Sequence, residues 1–176
     1  ITLSDGKNVT ARLKGILRLD ETDTTNPVAV GDKVMVEKLD QDFVIAQVLP
    51  RHNYIVRQSP KHEKARQIIA SNISQAILIA TVVSPRTSTG FIDRFLLTAE
   101  AYHIPIVLVF NKCDNLSKKE QTRLTEMDNM YRSIGYSVLH TSVVTKLHID
   151  HFANLLKGKT SLLSGHSGVG KSSLLN

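Results

Sequence analysis

Apolar and polar positions follow two different patterns along the chain, and the change between them falls near residue 70. In the first fifty residues, short apolar runs between turn residues predict β-strands. These strands are expected from Asn8 to Leu19, Lys33 to Leu39 and Phe43 to Leu49. About five short strands in this length suit a small barrel, and we expect an OB-fold over residues 1–50.

From about residue 71 apolar runs alternate with helical patterns, which indicates a parallel α/β sheet. The expected strands are Gln75–Val83, Tyr102–Phe110, Ser137–His140 and Thr160–Ser164. Helices are expected from Gly90 to Tyr102, from a capping box at Ser117–Glu120 to Gly135, and from Ile149 to Lys157. Residues 71–176 are therefore predicted to form an α/β domain, joined to the barrel by residues 51–70.

The last predicted strand leads into Gly165–Ser172, which matches the phosphate-loop pattern G-x-x-x-x-G-K-[ST]. Glycines allow the backbone to curl around a phosphate, Lys171 would reach the β- and γ-phosphates, and the Ser172 hydroxyl would bind Mg²⁺. His166 occupies a variable position, so its side chain is expected to point away from the γ-phosphate. The residues predicted to bind phosphate are Gly165, His166, Ser167, Gly168, Val169, Gly170, Lys171, Ser172 and Ser173.

The strand that ends at Phe110 is followed by Asn111-Lys112-Cys113-Asp114, an N-K-x-D pattern. The Asp114 carboxylate can accept from guanine N1–H and from the exocyclic amine together, and adenine does not offer that pair of donors. Asn111 would brace the loop and approach N7 and O6, while the stem of Lys112 packs along the base. The tetrad alone also fits a strand-to-helix turn capped by Asn and Asp.

A third loop follows the strand at Ser137–His140. Thr141-Ser142-Val143 forms a turn of small or apolar residues at the point where a GTPase supplies a backbone amide to guanine O6. The position of this turn after the strand is its only support. On that ground Ser142 and Val143 join Asn111, Lys112 and Asp114 as predicted guanine contacts, and Thr141 is a further candidate.

The order of these motifs is unusual, because the guanine motif precedes the phosphate loop by about fifty positions. Most GTP-binding domains have the opposite order, so a circularly permuted GTPase domain is predicted. The chain ends at Asn176, before any switch segment, and a domain incomplete at its C-terminus is expected. The residue that positions the attacking water is therefore unknown.

The combination resembles the ribosome small-subunit-dependent GTPase A family (RsgA, also called YjeQ). The resemblance rests on the two motifs, on Thr25–Asp32, which is similar to the family's N-terminal barrel, and on Phe91–Leu96 before the guanine motif. It implies a cytoplasmic bacterial enzyme that hydrolyses GTP to GDP with Mg²⁺. It also implies binding to the small ribosomal subunit and its rRNA late in maturation, and stimulation by that subunit. The family's C-terminal zinc subdomain has no counterpart in these residues.

Composition and charge exclude several classes of protein. One cysteine excludes a disulfide framework, and the sequence has neither a signal-peptide pattern nor an apolar run of membrane-spanning length. A reduced, cytoplasmic, monomeric protein is expected. The net charge is +6, and residues 51–70 carry five Lys or Arg against Glu63 alone. This stretch is interpreted as a basic linker that either contacts RNA or is solvated, and Val28 and Val30 are assigned to the barrel core.

Two alternatives remain open. The first is a P-loop ATPase or kinase-like domain in which the N-K-x-D tetrad is accidental. The second is an RNA-binding OB module with a degenerate nucleotide domain, although an intact Lys171-Ser172 pair argues against it.

Overall fold

The computed structural model of the chain describes residues 1–15, 27–40, 42–58 and 66–176. They form two compact units, Ile1–Asn72 and Ile73–Asn176. Parts of the sequence predictions lie outside the described residues. These parts are the end of the strand expected to reach Leu19, Thr25 and Asn26 of the family resemblance, and Lys61, Glu63 and Lys64 of the basic stretch.

The first unit contains strands in all three predicted strand regions and two more after them. The strands are β1 (Ala11–Leu13), β2 (Val34–Leu39), β3 (Asp42–Val48), β4 (Tyr54–Gln58) and β5 (Arg66–Ser71). In the first sheet β3 is central, parallel to β1 and antiparallel to β2, and in the second β4 pairs antiparallel with β5. The closed OB barrel stays a prediction.

Residues 54–58 and 66–70, which the sequence analysis assigned to a basic linker, belong to β-strands. Arg51, at the start of the same stretch, is held inside the unit: its Nε donates to Asp32 Oδ1 at 2.7 Å, and Ser71 Oγ donates to the same oxygen at 2.5 Å. Burial alone would raise the pKa of Asp32, but these hydrogen bonds and one from the Ala29 amide outweigh it and hold the pKa below its ordinary value. Arg51 is thus an internal ion-pair partner and not an open phosphate contact.

The assignment of Val30 to the core is wrong, since its side chain is 80% exposed. The backbone explains this: the Ser71 amide donates to the Val30 carbonyl at 2.9 Å, and Val30 forms a parallel bridge with Ala70. At Gly31 (φ +92°) a Cβ would lie 2.2 Å from the Ser71 carbonyl oxygen. The segment is therefore fixed by close backbone packing, and the Val30 side chain faces solvent.

The second unit confirms the predicted parallel α/β sheet. Its strands are β6 (Gln75–Ala80), β7 (Ile106–Phe110), β8 (Ser137–His140) and β9 (Ser161–Ser164), in the order β8-β7-β6-β9. Each neighbouring pair is parallel. The helices are α1 (Thr89–Ala101), α2 (Lys118–Ser133), α3 (Ile149–Leu156) and α4 (Lys171–Leu175).

Strand register determines which side chains share a face of this sheet. Ile79, Val109 and Leu139 form one row across three strands, and they pack in one cluster with Phe152 of α3 and Leu174 of α4. The neighbouring row in the register, Leu78, Leu108 and Val138, points to the other face because successive strand residues alternate. A buried sheet of this kind holds the loops at its carboxyl ends in fixed positions.

Local signals placed the helix ends correctly. The capping box predicted at Ser117–Glu120 is present, with the Ser117 amide donating to the Glu120 carboxylate at 2.7 Å, and Gly135 (φ +96°) follows α2. Strand β6 ends at Ala80, before the predicted Val83, because the next residues form a hydrogen-bonded loop. Among the described residues, no helix has both the length and the apolar character needed to cross a bilayer.

Candidate functional site

All three predicted motif loops lie at the carboxyl ends of the sheet in the second unit. The guanine motif follows β7, the Thr141–Val143 turn follows β8, and the phosphate loop follows β9. Chain order runs from β6 outward to β7 and β8 and then returns to the other side of β6 with β9. Open α/β sheets bind ligands at such a reversal of strand order.

Glycine is required in the phosphate loop because the loop packs tightly against its neighbours. At Gly165 (φ +146°) a Cβ would lie 2.3 Å from the Ile79 carbonyl oxygen, and at Gly170 (φ +95°) it would lie 2.4 Å from Asn111 Nδ2. Gly170 therefore lies close against the Asn111 side chain of the guanine motif. A side chain at either glycine would force the loop out of this position.

The ammonium group of Lys171 is held over the phosphate loop. Its Nζ donates to the Gly165 carbonyl at 2.8 Å and to the His166 carbonyl at 2.7 Å. The side chain is thus directed into the curve of the loop, where an anionic group would meet a fixed cation. Ser172 and Ser173, the next two residues of α4, are exposed.

Two other loop residues have their side chains engaged elsewhere. The His166 ring packs on the Phe91 ring with centroids 4.0 Å apart, and the Val169 side chain is fully buried in the core. The buried Val169 can therefore contribute only backbone groups to a ligand, and the exposed His166 ring lies against Phe91. The Val169 carbonyl already accepts a hydrogen bond from Asn111 Nδ2 at 2.9 Å.

Asn111 connects three loops. Its amide nitrogen donates to Val169 of the phosphate loop, and its Oδ1 accepts from Thr141 Oγ1 at 3.0 Å. The side chain is buried, and the backbone amide donates to the Ala80 carbonyl at 2.8 Å. The predicted role of bracing the loop is therefore visible as a buried hydrogen-bond network, which also accounts for Thr141.

Asp114 is oriented by the turn after β8. Ser142 Oγ donates to Asp114 Oδ1 at 2.5 Å and accepts from the Thr145 amide at 3.2 Å. The Ser142 backbone amide donates to the Leu147 carbonyl at 3.2 Å, so it does not have the open position expected of a guanine O6 donor. Ser142 Oγ therefore orients the Asp114 carboxylate, and the guanine contact predicted for Val143 stays a prediction.

Several of the predicted site residues line a cavity of about 320 Å³. They are Asn111, Lys112, Asp114, Val143, Gly170 and Ser173. Lys112 (φ +63°) spans one side and donates from Nζ to the Ser84 carbonyl at 2.7 Å. The sequence analysis did not predict four of the residues that line this cavity. These residues follow β6 or adjoin the predicted motifs, and that position could have indicated them. The additional lining residues are Val83, Ser84, Asn115 and Val144.

Cys113, the free position of the tetrad, is poorly placed for thiol chemistry. Its Sγ donates to the Phe110 carbonyl at 3.1 Å, and burial together with the nearby Asp114 charge raises its pKa to about 11. Alkylation by iodoacetamide at pH 8 should therefore be roughly a hundredfold slower in the folded chain than in urea, because thiolate is the reactive form. The folded rate should rise about tenfold per pH unit until the pKa is reached. Equal rates in folded and unfolded chain would contradict this placement.

The parallel sheet, the glycine loop with its inward lysine and the Asn111–Asp114 loop define a P-loop nucleotide-binding α/β protein with permuted motif order. The sequence model of the RsgA GTPase family matches residues 48–176. The chain belongs to the RsgA GTPase family.

The sequence similarity to curated relatives extends over nearly the whole chain. The small ribosomal subunit biogenesis GTPase RsgA of Porphyromonas gingivalis is 42% identical over all of this chain and 57% of its own length. The protein of the same name from Flavobacterium johnsoniae is 45% identical over 97% of this chain and 54% of its own length. The chain therefore spans about half the length of the curated relatives it matches.

Solved structures show the same relationship. YjeQ from Thermotoga maritima is 34% identical, with a TM-score of 0.81 over 98% of this chain and 57% of that chain. YloQ, described as a circularly permuted GTPase, is 30% identical, with a TM-score of 0.71 over 97% of this chain and 55% of that chain.

Proposed function

We propose that this chain binds GTP and GDP and belongs to a GTPase that acts in late maturation of the small ribosomal subunit. The observation that carries the proposal is the arrangement around one cavity. Asp114, oriented by Ser142, lines this cavity together with Gly170 and Ser173 of the phosphate-loop segment. The family relationship supports the ribosomal part of the proposal.

Guanine recognition is assigned to the loops after β7 and β8. Asp114 accepts from N1–H and the exocyclic amine, and the Val143 amide donates to O6. The stem of Lys112 and the apolar side chain of Val144 cover the base. Adenine would leave the carboxylate without its pair of donors, and an unpaired charged group disfavours binding.

Phosphate binding is assigned to the backbone amides of residues 165–173 and to Lys171. The Ser172 hydroxyl suits Mg²⁺, an ion that commonly keeps several waters and takes few protein ligands beside phosphate oxygens. A single serine hydroxyl as the protein ligand fits Mg²⁺ that is bound together with the nucleotide phosphates.

The reaction is transfer of the γ-phosphoryl group of GTP to water, which yields GDP and phosphate. Mg²⁺ would neutralise charge that develops on the phosphate oxygens. The residues of this chain act by holding the base, orienting the β-phosphate and supplying the fixed Lys171 charge. We assign no residue of this chain to positioning the attacking water.

The first unit is proposed to be an OB-fold that docks on ribosomal RNA. Its five described strands and the small-subunit name of the relatives support this role. We propose that this unit, with β4 and β5 of the 51–70 stretch included, is followed by a GTPase domain from Ile73 on. Stimulation by the subunit, a monomeric state and a cytoplasmic location complete the proposal.

The experiment that tests nucleotide binding is calorimetric titration of this chain with GDP and, separately, with ADP in Mg²⁺. GDP is the suitable probe because its proposed contacts all lie within the described residues. Binding of GDP with at least a hundredfold preference over ADP is expected, since the base-reading carboxylate discriminates by unpaired polar groups. Equal binding of both would favour a P-loop ATPase, and absence of binding would favour an RNA-binding module.

A further inference from the structure

The loop between β6 and α1, residues Thr81–Ser88, lies outside both nucleotide motifs and contacts the base-reading one. We name it the connecting loop. Lys112 of the guanine motif donates from Nζ to the Ser84 carbonyl at 2.7 Å. Ser84 and its neighbour Val83 also line the cavity beside Asp114. One end of the connecting loop is therefore tied to the side chain that covers the base.

The connecting loop lies beside the phosphate loop at Pro85, and the helix that follows it contacts the phosphate loop at Phe91. Pro85 lies beside Gly168, where a Cβ would be 3.5 Å from Pro85 Cδ. Directly after the connecting loop, in the first turn of α1, the Phe91 ring packs on the His166 ring. The His166 carbonyl is one of the two that hold Lys171, so this contact bears on the position of the phosphate-binding cation.

Internal hydrogen bonds make the connecting loop rigid between these two ends. The Thr87 amide donates to the Thr81 carbonyl at 2.9 Å, and the Thr81 amide donates to Thr87 Oγ1 at 3.1 Å. Thr81 Oγ1 also donates to the Pro85 carbonyl, and both threonines are buried. Ser88, the last residue of the connecting loop, caps α1 by accepting a hydrogen bond at its Oγ from the Phe91 amide at 3.2 Å.

We propose that the connecting loop, with Phe91, is a positioning element that makes phosphate-loop geometry depend on the base. Lys112 covers guanine in the correct position only while its ammonium group is bonded to the Ser84 carbonyl. Because the loop is rigid, a shift of Lys112 also shifts Pro85, Phe91 and His166. A base that displaces Lys112 thereby weakens the hold on Lys171. Asn111 provides a direct link between the motifs, and the connecting loop provides a second one. This inference rests on the proposed nucleotide binding.

A double-mutant cycle on GDP affinity tests the coupling. Lys112→Met keeps the stem and removes the ammonium group, and Phe91→Leu removes the ring contact with His166. Each single variant should weaken GDP binding about threefold or more. The loss of GDP affinity in the double variant should be at least threefold smaller than the product of the losses in the two single variants. Leu97→Ala, an exposed position on the same helix, combined with Lys112→Met should give additive effects.

Thr87 supplies a second test inside the connecting loop. Thr87→Ser keeps the hydroxyl that accepts from Thr81 and should leave GDP affinity and the coupling unchanged. Thr87→Val removes that acceptor and should reduce the coupling between Lys112 and Phe91 to less than twofold. If Thr87→Val does not fold, the cycle between Lys112 and Phe91 decides alone.

The outcomes separate this inference from the proposed function. GDP binding by the unaltered chain with strictly additive variants would overturn the connecting loop as a coupling element and leave the proposed function standing. Absence of GDP binding by the unaltered chain would overturn the proposed function and this inference together. Coupling in the Leu97→Ala control as large as in the Phe91 cycle would also overturn it, because the effect would then be a general loss of stability.

Discussion

Replacing Asp114 by asparagine is expected to change the base preference of the site from guanine to xanthine. The carboxylate is proposed to accept two hydrogen bonds from guanine, and an amide can accept only at its oxygen. Its NH₂ group would instead face the guanine amine, donor against donor. GDP affinity should fall by about a hundred- to a thousandfold, the cost of losing charge-assisted hydrogen bonds and leaving polar groups unpaired.

Xanthosine diphosphate should bind the Asp114→Asn variant better than GDP does, because xanthine carries an oxygen where guanine carries the amine. Ser142 can still donate to the asparagine oxygen, so the loop should keep its shape. Calorimetric titration with both diphosphates provides the measurement. Asp150→Asn, the same change at an exposed position in the first turn of α3, is the matched control and should bind GDP normally. Unchanged guanine preference in Asp114→Asn would refute the base-reading role.

Replacing Lys171 by alanine is expected to reduce GDP binding by at least a hundredfold. The ammonium group is already held over the phosphate loop by the Gly165 and His166 carbonyls, so its contribution to binding an anion needs little reordering. Removing it leaves the phosphates without their fixed cation in a loop of backbone amides. Charge-assisted contacts of this kind are the strong ones in phosphate recognition.

The Lys171→Ala chain should remain folded, because the lysine is partly exposed and the two carbonyls it leaves can bind water. Circular dichroism during thermal unfolding checks this alongside the calorimetry. Lys118→Ala, at the exposed first residue of α2, removes the same charge away from the site and should keep full GDP affinity. Full GDP affinity in Lys171→Ala would mean that the loop does not bind the nucleotide phosphates as proposed.

Sequence reasoning succeeded where the signal is local. The capping box at Ser117 and Glu120 needs only residues three apart, and the two central strands of the second unit, β6 and β7, are nearly continuous apolar runs. The motif loops after β7 and β9 could be predicted for the same reason, because fixed spacing defines them. The base-reading, phosphate-binding and metal-binding roles of their residues are still proposals.

Sequence reasoning fell short where a residue's role depends on a distant partner. The ion pair of Arg51 could not be predicted, because its partner Asp32 lies nineteen positions away in the sequence. The exposure of Val30 could not be predicted either, because its backbone pairs with Ala70, forty positions away. Ser142 was expected to offer its amide, but that group donates to Leu147 within a turn whose conformation no motif encodes. The connecting loop carries no motif either, and the contact between Lys112 and Ser84 forms only in the folded chain.

The permuted order has a consequence for how the site is assembled as the chain is made. Strands β6, β7 and β8 and the whole guanine motif leave the ribosome before β9 does, and domains commonly begin folding in the order of synthesis. Asn111 is buried, and its amide nitrogen is bonded to the carbonyl of Val169, which is synthesised 58 residues later. Until β9 docks on β6, that amide has no Val169 to donate to. Docking of the phosphate loop therefore completes the hydrogen bonds of Asn111, and the proposed guanine and phosphate sites are expected to form in the same step.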